Sequence, residues 1–134
     1  MNKLLLIVFV GIGSLSFAQN TYNIKITVEG TADTVAYLGH HFGNQRYLND
    51  TSSVTDGVAV FKGSEELPEG MYFYYSPNVY FEFIVSDQEF EIATKSPSFV
   101  ENFNVTGSEE NDIFHELQMI TLTNQRIIKN LQSQ

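Results

Sequence analysis

Short alternations of apolar and polar residues, each closed by a turn residue, constrain the fold of this chain more than any other feature. Between residues 56 and 95 the chain reads DGVAVFKG, then LPEGMYFYYSP, then VYFEFIVSDQEFEIATK. Alternation with a period of two indicates strands with one buried face, and the Gly, Pro and Asp residues between them indicate turns. Turns recur about every 8–12 residues, which is typical of an antiparallel β-sandwich. The sequence therefore predicts a mainly β fold.

About eight strands are expected, at residues 22–28, 34–40, 46–50, 58–62, 71–76, 78–86, 89–94 and 103–106. Residues 41–44, which include a glycine, are expected to form a turn, and the polar residues 49–53 a loop. Asp56-Gly57 predicts a hairpin turn with positive φ, which Gly adopts without a Cβ clash. The acidic residues 63–70 are expected to form a longer loop.

The first 18 residues have the parts of a secretory signal peptide. Lys3 supplies the positive region, residues 4–10 are apolar, and residues 16–18 (SFA) predict cleavage before Gln19. The apolar run is too short to cross about 30 Å of hydrocarbon. We therefore expect an exported protein, periplasmic or extracellular, with no membrane span after cleavage. Because the chain has no cysteine, it is not expected to be a lipoprotein.

Charge and cysteine content exclude several function classes. The formal net charge is −9, and removal of Lys3 with the signal peptide makes it more negative. Nucleic acids and anionic membrane surfaces both favour Lys and Arg, so neither is an expected partner. The absence of cysteine excludes disulfides and thiol redox chemistry. The mature chain, residues 19–134, is long enough for one domain with a core.

The period of the pattern changes after Gly107. Ser108 is a suitable N-cap, and Glu109, Glu110 and Asp112 in the following turn favour the positive end of a helix dipole. We therefore expect a β-sandwich over residues 19–107 and a helix over residues 108–134. Six residues of this helix recur at alternating steps of four and three: Ile113, Leu117, Ile120, Asn124, Ile127 and Leu131. This spacing is typical of a coiled coil, in which a buried Asn fixes register, so the helix is expected either to pack on its own sandwich or to self-associate.

Four motifs, taken in order, resemble a known domain. They are DGxxxFxG at residues 56–63, PEGMY at 68–72, FIVSD at 83–87, and NVTGSEEN at 104–111, which opens the helix. In this order, after a signal peptide, they resemble the uncharacterised N-terminal β-domain of thioredoxin-like (TlpA/ResA-type) thiol–disulfide oxidoreductases of Bacteroidota. The similarity covers roughly residues 22–131. The resemblance implies an accessory β-domain of the cell envelope.

The chain departs from that family in its chemistry. In the family the helix leads to a thioredoxin-like domain whose paired cysteines exchange disulfides, and a thiolate is the nucleophile of that exchange. This sequence has no cysteine and ends at Gln134, where such a domain is expected to begin. The family's catalytic activity is therefore not expected in this chain.

No other catalytic, metal or cofactor site is predicted. His40 and His41 are neighbours on a strand, so they point to opposite faces and do not readily bind one metal ion. His115 has no histidine at the i, i+4 spacing that zinc-binding helices use. The sequence has no GxSxG motif, and its carboxylates are expected on solvated strand faces or in loops. We therefore expect a protein that is not an enzyme.

Aromatic residues crowd two neighbouring strands, as Tyr72, Phe73, Tyr74, Tyr75, Tyr80, Phe81 and Phe83. One alternating set is expected to face the core, and the other either is covered or forms an exposed platform. Exposed contiguous aromatics mark interaction surfaces, and Tyr72, Tyr74 and Tyr80 are the candidates for such a platform.

Two functional hypotheses result. The first is a non-catalytic module for protein–protein interaction or dimerisation, which uses the helix and an aromatic strand face. The second is a β-sandwich that binds a small ligand or a glycan through exposed tyrosines. The sequence names neither a partner nor a ligand.

Overall fold

A computed structural model describes residues 20–133; the predicted signal peptide, residues 1–18, lies outside the described residues. Eight strands precede one helix: β1 (Tyr22–Glu29), β2 (Val35–Phe42), β3 (Gln45–Ser53), β4 (Val58–Gly63), β5 (Gly70–Ser76), β6 (Val79–Val85), β7 (Glu89–Lys95), β8 (Asn104–Thr106) and α1 (Glu109–Gln132). The predicted fold class, mainly β with a C-terminal helix, is confirmed.

The strands form two four-stranded sheets. Sheet A has the order β4-β1-β7-β8 and sheet B the order β3-β2-β5-β6. All pairs are antiparallel except β1 and β7, which are parallel in sheet A. A parallel pair requires a crossover connection, and here the five intervening strands provide it.

The period-two pattern of each strand determines the core. In β1 the buried side chains are Tyr22, Ile24, Ile26 and Val28, and the residues between them lie on the outer face. The inner faces of the two sheets meet through aromatic contacts. Phe61 of sheet A packs edge-on against Tyr74 of sheet B, and Phe90 packs edge-on against Phe83. The two sheets therefore share one hydrophobic core.

The β2–β3 hairpin is longer than the sequence predicted. Residues 41 and 42 continue β2, and the turn is confined to Gly43 and Asn44, where Gly43 has a φ of 58°. The predicted loop at residues 49–53 was wrong, because these polar residues pair with β2 as far as Val35↔Ser53. Pairing with a neighbouring strand overrode the weak strand propensity of the Asn, Asp and Ser residues.

The Asp56-Gly57 turn forms as predicted. Asp56 has a φ of 51° and Gly57 a φ of 77°, the two successive positive values of a type I′ turn. The turn lies between β3 and β4, which belong to different sheets, so it connects the two layers at one edge of the sandwich. There the Val60 amide donates a hydrogen bond to Ser52 Oγ at 3.0 Å.

Helix α1 begins three residues after the end of β8. No helix among residues 20–133 is long and apolar enough to cross a membrane.

Candidate interaction surface on helix α1

Asn111 anchors the first turn of α1 to sheet B. Its side chain is fully buried, its Oδ1 accepts a hydrogen bond from the Ile84 amide at 2.8 Å, and its Nδ2 donates to the Ile84 carbonyl at 2.7 Å. Ile84 lies on β6, the edge strand of sheet B. The Asn111 amide therefore pairs with the free edge of β6 as a neighbouring strand would.

Ser108 supports this anchor rather than capping the helix. Its backbone is extended, as an N-cap residue requires, but its side chain makes no capping hydrogen bond. Instead, Ser108 Oγ accepts a hydrogen bond from Asn111 Nδ2 at 3.0 Å. Gly107, with a φ of 90°, makes the preceding turn. The sequence predicted a helix start at the GSEEN segment but no role for Asn111.

One face of α1 packs against the sandwich over the first half of the helix. His115 contacts the ring of Phe103, and its Nε2 lies 2.7 Å from the Val100 carbonyl oxygen. Gln118 and Leu122 are half-buried on the same face. Further along, Arg126 forms an ion pair with Glu101. From residue 123 to residue 133 every side chain is exposed.

The predicted periodic residues of α1 lie on the opposite face. Successive residues of an α-helix are rotated by about 100° about the helix axis. The mean direction of the residues that pack on the sandwich and the mean direction of the periodic residues therefore differ by roughly 190°. We call the periodic set the α1 stripe: Ile113, Leu117, Ile120, Asn124, Ile127 and Leu131. The five apolar members are 52–67% exposed, and Asn124 is exposed as well. Of the two alternatives that the periodicity left open, packing of this set on the sandwich of its own chain is therefore wrong, and self-association stays a prediction.

The second half of α1 has weak intrinsic helix propensity. It contains the β-branched residues Thr121, Thr123, Ile127 and Ile128, which lose side-chain freedom in a helix. Thr121 and Thr123 each donate a hydrogen bond to the carbonyl four residues earlier. Most of the stability of a helix in a protein comes from packing of one face, and from residue 123 onward every side chain of α1 is exposed. A polypeptide that covers the α1 stripe would supply that packing.

Of the three tyrosines proposed as an outward platform, two are buried. Tyr72 is 1% exposed and Tyr74 is 0% exposed, so their assignment to the surface was wrong. They lie opposite Phe83 and Phe81 in the β5–β6 register, and all four face the core. Tyr80 is 39% exposed, as expected for an outward residue.

The outer face of sheet B carries a different aromatic group. Tyr75 is 45% exposed and lies opposite Tyr80, whose ring stacks on the buried Phe73. The Arg46 guanidinium lies over the Tyr80 ring, 5.8 Å from its centroid. Burial, followed by the hydrogen bond from Tyr80 Oη to Glu82, raises the pKa of Tyr80. This phenol therefore stays neutral at physiological pH and offers a flat, polar-edged surface.

The histidines serve local contacts. His40 lies against Tyr72 and Tyr47, whereas His41 lies against Phe73 with its Nε2 2.9 Å from Glu82 Oε1. Across residues 20–133, no three side chains of His, Asp or Glu come together in an arrangement suited to a metal ion.

These features define a class of protein: a β-sandwich whose C-terminal helix is anchored at its first turn and carries an outward apolar stripe. Residues 22–114 match the family described as Domain of unknown function (DUF4369), and because the match covers more than half of the chain, the chain belongs to that family. No curated protein matches the chain significantly. The family match includes the sandwich and Asn111 but ends before Leu117, so it covers only the first residue of the α1 stripe.

Proposed function

We propose that this chain is a non-catalytic, exported accessory domain that binds another polypeptide through the α1 stripe. The exposure of five large apolar residues on one helix face, opposite the face that contacts the sandwich, is the observation that carries the proposal. The sequence resemblance adds the setting: the cell envelope of Bacteroidota, in association with thioredoxin-like oxidoreductases. The predicted signal peptide supports export.

The exposed area is large enough to support binding. Complete burial of an Ile or Leu side chain contributes about 1.5–3 kcal/mol, so burial of the remaining half to two-thirds contributes roughly 1–2 kcal/mol for each residue. Five such residues give about 5–10 kcal/mol from this side of an interface alone. A partner with a matching apolar face contributes a similar amount, against an association cost of about 4–15 kcal/mol. The α1 stripe is therefore sufficient for association of moderate affinity.

The charge distribution favours contact at this end of the molecule. The last acidic residue of the chain is Glu116, and residues 117–133 carry only Arg126 and Lys129 as charged residues. Ile113 therefore has the exposed acidic residues Glu110, Asp112 and Glu116 around it, whereas no acidic residue of α1 lies beside the stripe from Asn124 to Leu131. A partner can approach this part of the helix without strong repulsion from carboxylates on the same face.

Thiol alkylation tests whether the α1 stripe is covered. The chain has no cysteine, so Ile127→Cys and Lys129→Cys each introduce a single reactive thiol. Ile127 belongs to the α1 stripe, and Lys129 lies on the opposite face of the same turn, which makes it the matched control. In intact cells that produce the protein we expect at least about tenfold slower alkylation at position 127 than at position 129, equivalent to about 1.4 kcal/mol of protection.

The result also separates two kinds of partner. Protection that persists in the purified protein indicates contact between copies of the chain, whereas protection restricted to cells indicates a different protein. Equal alkylation rates at the two positions, both in cells and in purified protein, would overturn the proposal.

The alternative function, binding of a small ligand or glycan, receives less support. The groove beside Tyr75 and Tyr80 measures about 230 Å³, below the range of about 300–1,000 Å³ that is usual for ligand sites. A larger depression of about 430 Å³ lies on the outer face of sheet A, but its only aromatic residue, Phe90, is buried. Neither of these two combines a volume in that range with exposed aromatic rings. A depression of about 350 Å³ beside Tyr80 and Phe99 does, but Tyr80 is the only one of the three predicted tyrosines that borders it.

A further inference from the structure

We infer that the occupant of the α1 stripe is a second copy of this chain, with the two α1 helices parallel and in register. This inference rests on the proposed function and identifies the partner that it leaves open. It follows from the order of residues along the α1 stripe, from the position of Asn124, and from the side of the helix that the sandwich occupies.

The α1 stripe follows a heptad repeat. Leu117, Asn124 and Leu131 take one core position of the heptad, and Ile113, Ile120 and Ile127 take the other. A stripe that is continuous over nearly three heptads is complementary to itself, because each layer receives the same kind of side chain from both copies. This self-complementarity is what a two-fold interface between identical chains requires.

Asn124 selects the parallel orientation. In a parallel, in-register pair each residue of the α1 stripe meets its own copy, so the two Asn124 amides lie in one layer and can hydrogen-bond to each other. In the antiparallel alignment that matches all six layers, residue 120 of one copy meets residue 124 of the other. Both Asn124 amides would then be buried against Ile120 without a hydrogen-bond partner, which is unfavourable.

The sandwich does not obstruct this pairing. Asn111, His115 and Gln118 attach it to the face of α1 opposite the α1 stripe. In a parallel pair with helix axes about 8–10 Å apart, the two sandwiches would lie on the outer sides of the helices, away from each other.

The residues that flank the α1 stripe are compatible with such a pair. In a parallel pair Glu116 of one copy lies near Thr121 of the other, and Thr123 lies near Ile128. None of these pairs sets like charges against each other. The α1 stripe itself therefore meets its copy without like-charge pairs from residue 113 to residue 131, and in this alignment Glu110, three residues before Ile113, faces its own copy at the N-terminal end.

Disulfide cross-linking in the cysteine-free chain tests both the partner and the orientation. We would oxidise Ile113→Cys and Leu131→Cys separately, as a mixture, and beside the opposite-face control Lys129→Cys. A disulfide requires Cα atoms about 4.4–6.8 Å apart, a distance that each stripe position meets with its own copy only in the parallel pair. In the matched antiparallel pair, two copies of position 113 would lie about 27 Å apart.

We expect each of the two stripe variants to form a disulfide-linked dimer by itself, at least tenfold faster than the Lys129→Cys control. Light scattering of the unmodified protein should give at least twice the mass of one chain. We also expect Asn124→Leu to tighten the assembly at least tenfold and to permit the mixed 113–131 cross-link, because the residue that selects the orientation is gone.

A cross-link that forms only in the mixture of the two variants would overturn the parallel orientation. A monomeric mass at every concentration, without cross-linking at either position, would overturn the choice of partner. If the purified protein is monomeric while position 127 is still protected in cells, the α1 stripe binds a different protein and only the inference in this subsection fails.

Discussion

Replacement of Asn111 by Asp tests the anchor between α1 and the sandwich with almost no change in shape. Asn111 is fully buried, and its amide nitrogen donates to the Ile84 carbonyl at 2.7 Å and to Ser108 Oγ at 3.0 Å. An ionised carboxylate keeps the acceptor for the Ile84 amide but loses both donors. It also sets a negative oxygen against the Ile84 carbonyl oxygen.

The size of the effect follows from three contributions. Two lost hydrogen bonds cost about 0.5–1.5 kcal/mol each, and burial of the new charge without a positive partner adds at least about 1–3 kcal/mol. The N-terminal position in α1 offsets roughly 0.3–1 kcal/mol, because the helix dipole favours a negative charge there. We therefore expect Asn111→Asp to lower the free energy of unfolding by about 1–6 kcal/mol at pH 7. A protein of this size has about 5–15 kcal/mol in total.

The penalty should depend on pH with a definite sign. Burial raises the pKa of a carboxyl group, and the protonated form can again donate a hydrogen bond to the Ile84 carbonyl oxygen. The native variant therefore takes up protons more readily than its unfolded chain, so the difference from wild type should shrink as the pH falls.

Urea denaturation followed by tyrosine fluorescence measures this difference, since the chain contains seven Tyr and no Trp. The control, Gln125→Glu, adds the same charge at an exposed position of the same helix and should change stability by less than about 0.5 kcal/mol. A loss below about 1 kcal/mol at pH 7, or a penalty that does not change with pH, would refute the role assigned to Asn111.

Two further predictions concern the core and the acid stability of the fold. Tyr72→Phe should cost about 1 kcal/mol because it removes the hydrogen bond to the Pro68 carbonyl at 2.9 Å, whereas Tyr74→Phe should be neutral or stabilising because its buried hydroxyl has no hydrogen-bond partner among residues 20–133. Thermal unfolding of the two variants would contradict this if Tyr74→Phe proved the more damaging. Hydrogen bonds from Ser76 and Asn78 lower the pKa of Asp33 below its ordinary value of 3.8, so stability from this carboxylate is present above that pH and is lost as the pH falls below it. The stability difference between wild type and Asp33→Asn should therefore narrow as the pH falls below about 4, and a difference that stays constant down to about pH 2 would contradict the prediction.

The sequence predicted the strands well because turn residues separate them, but it did not reveal which face of β5 is buried. Residues 72–75 read YFYY, so the alternation contains no polar residue to mark the outer face. A signal was present in the next strand. The Pro77-Asn78 turn between the two strands pairs Tyr75 with Tyr80 and Phe73 with Glu82, and Glu82 marks the outer face of both strands. That register would have placed Tyr72 and Tyr74 in the core.

The helix shows a different limit of sequence-based prediction. Its apolar periodicity predicted the α1 stripe, but the face that packs on the sandwich, with Phe114 and Met119 half-buried at its sides, is centred on Asn111, His115, Gln118 and Leu122. Three of these four residues are polar, so hydrophobic periodicity cannot find this face. The parallel pairing of β1 with β7 was also missed, because it joins strands far apart in the chain and no local pattern encodes it.

The two faces of α1 explain how a polar residue can determine where an apolar surface points. Asn111 hydrogen-bonds to both the amide and the carbonyl of Ile84 on β6. Because hydrogen bonds are directional, these two bonds fix the rotation of the first helical turn about the helix axis. The exposed Arg126–Glu101 ion pair joins α1 to the sandwich four turns later. With the rotation of the first turn fixed by Asn111, the α1 stripe faces away from the sandwich. A nonspecific apolar contact at the first turn would have let the helix roll and bury Leu117 or Ile120 against its own sheet. The polar anchor thus keeps the apolar face available for a partner.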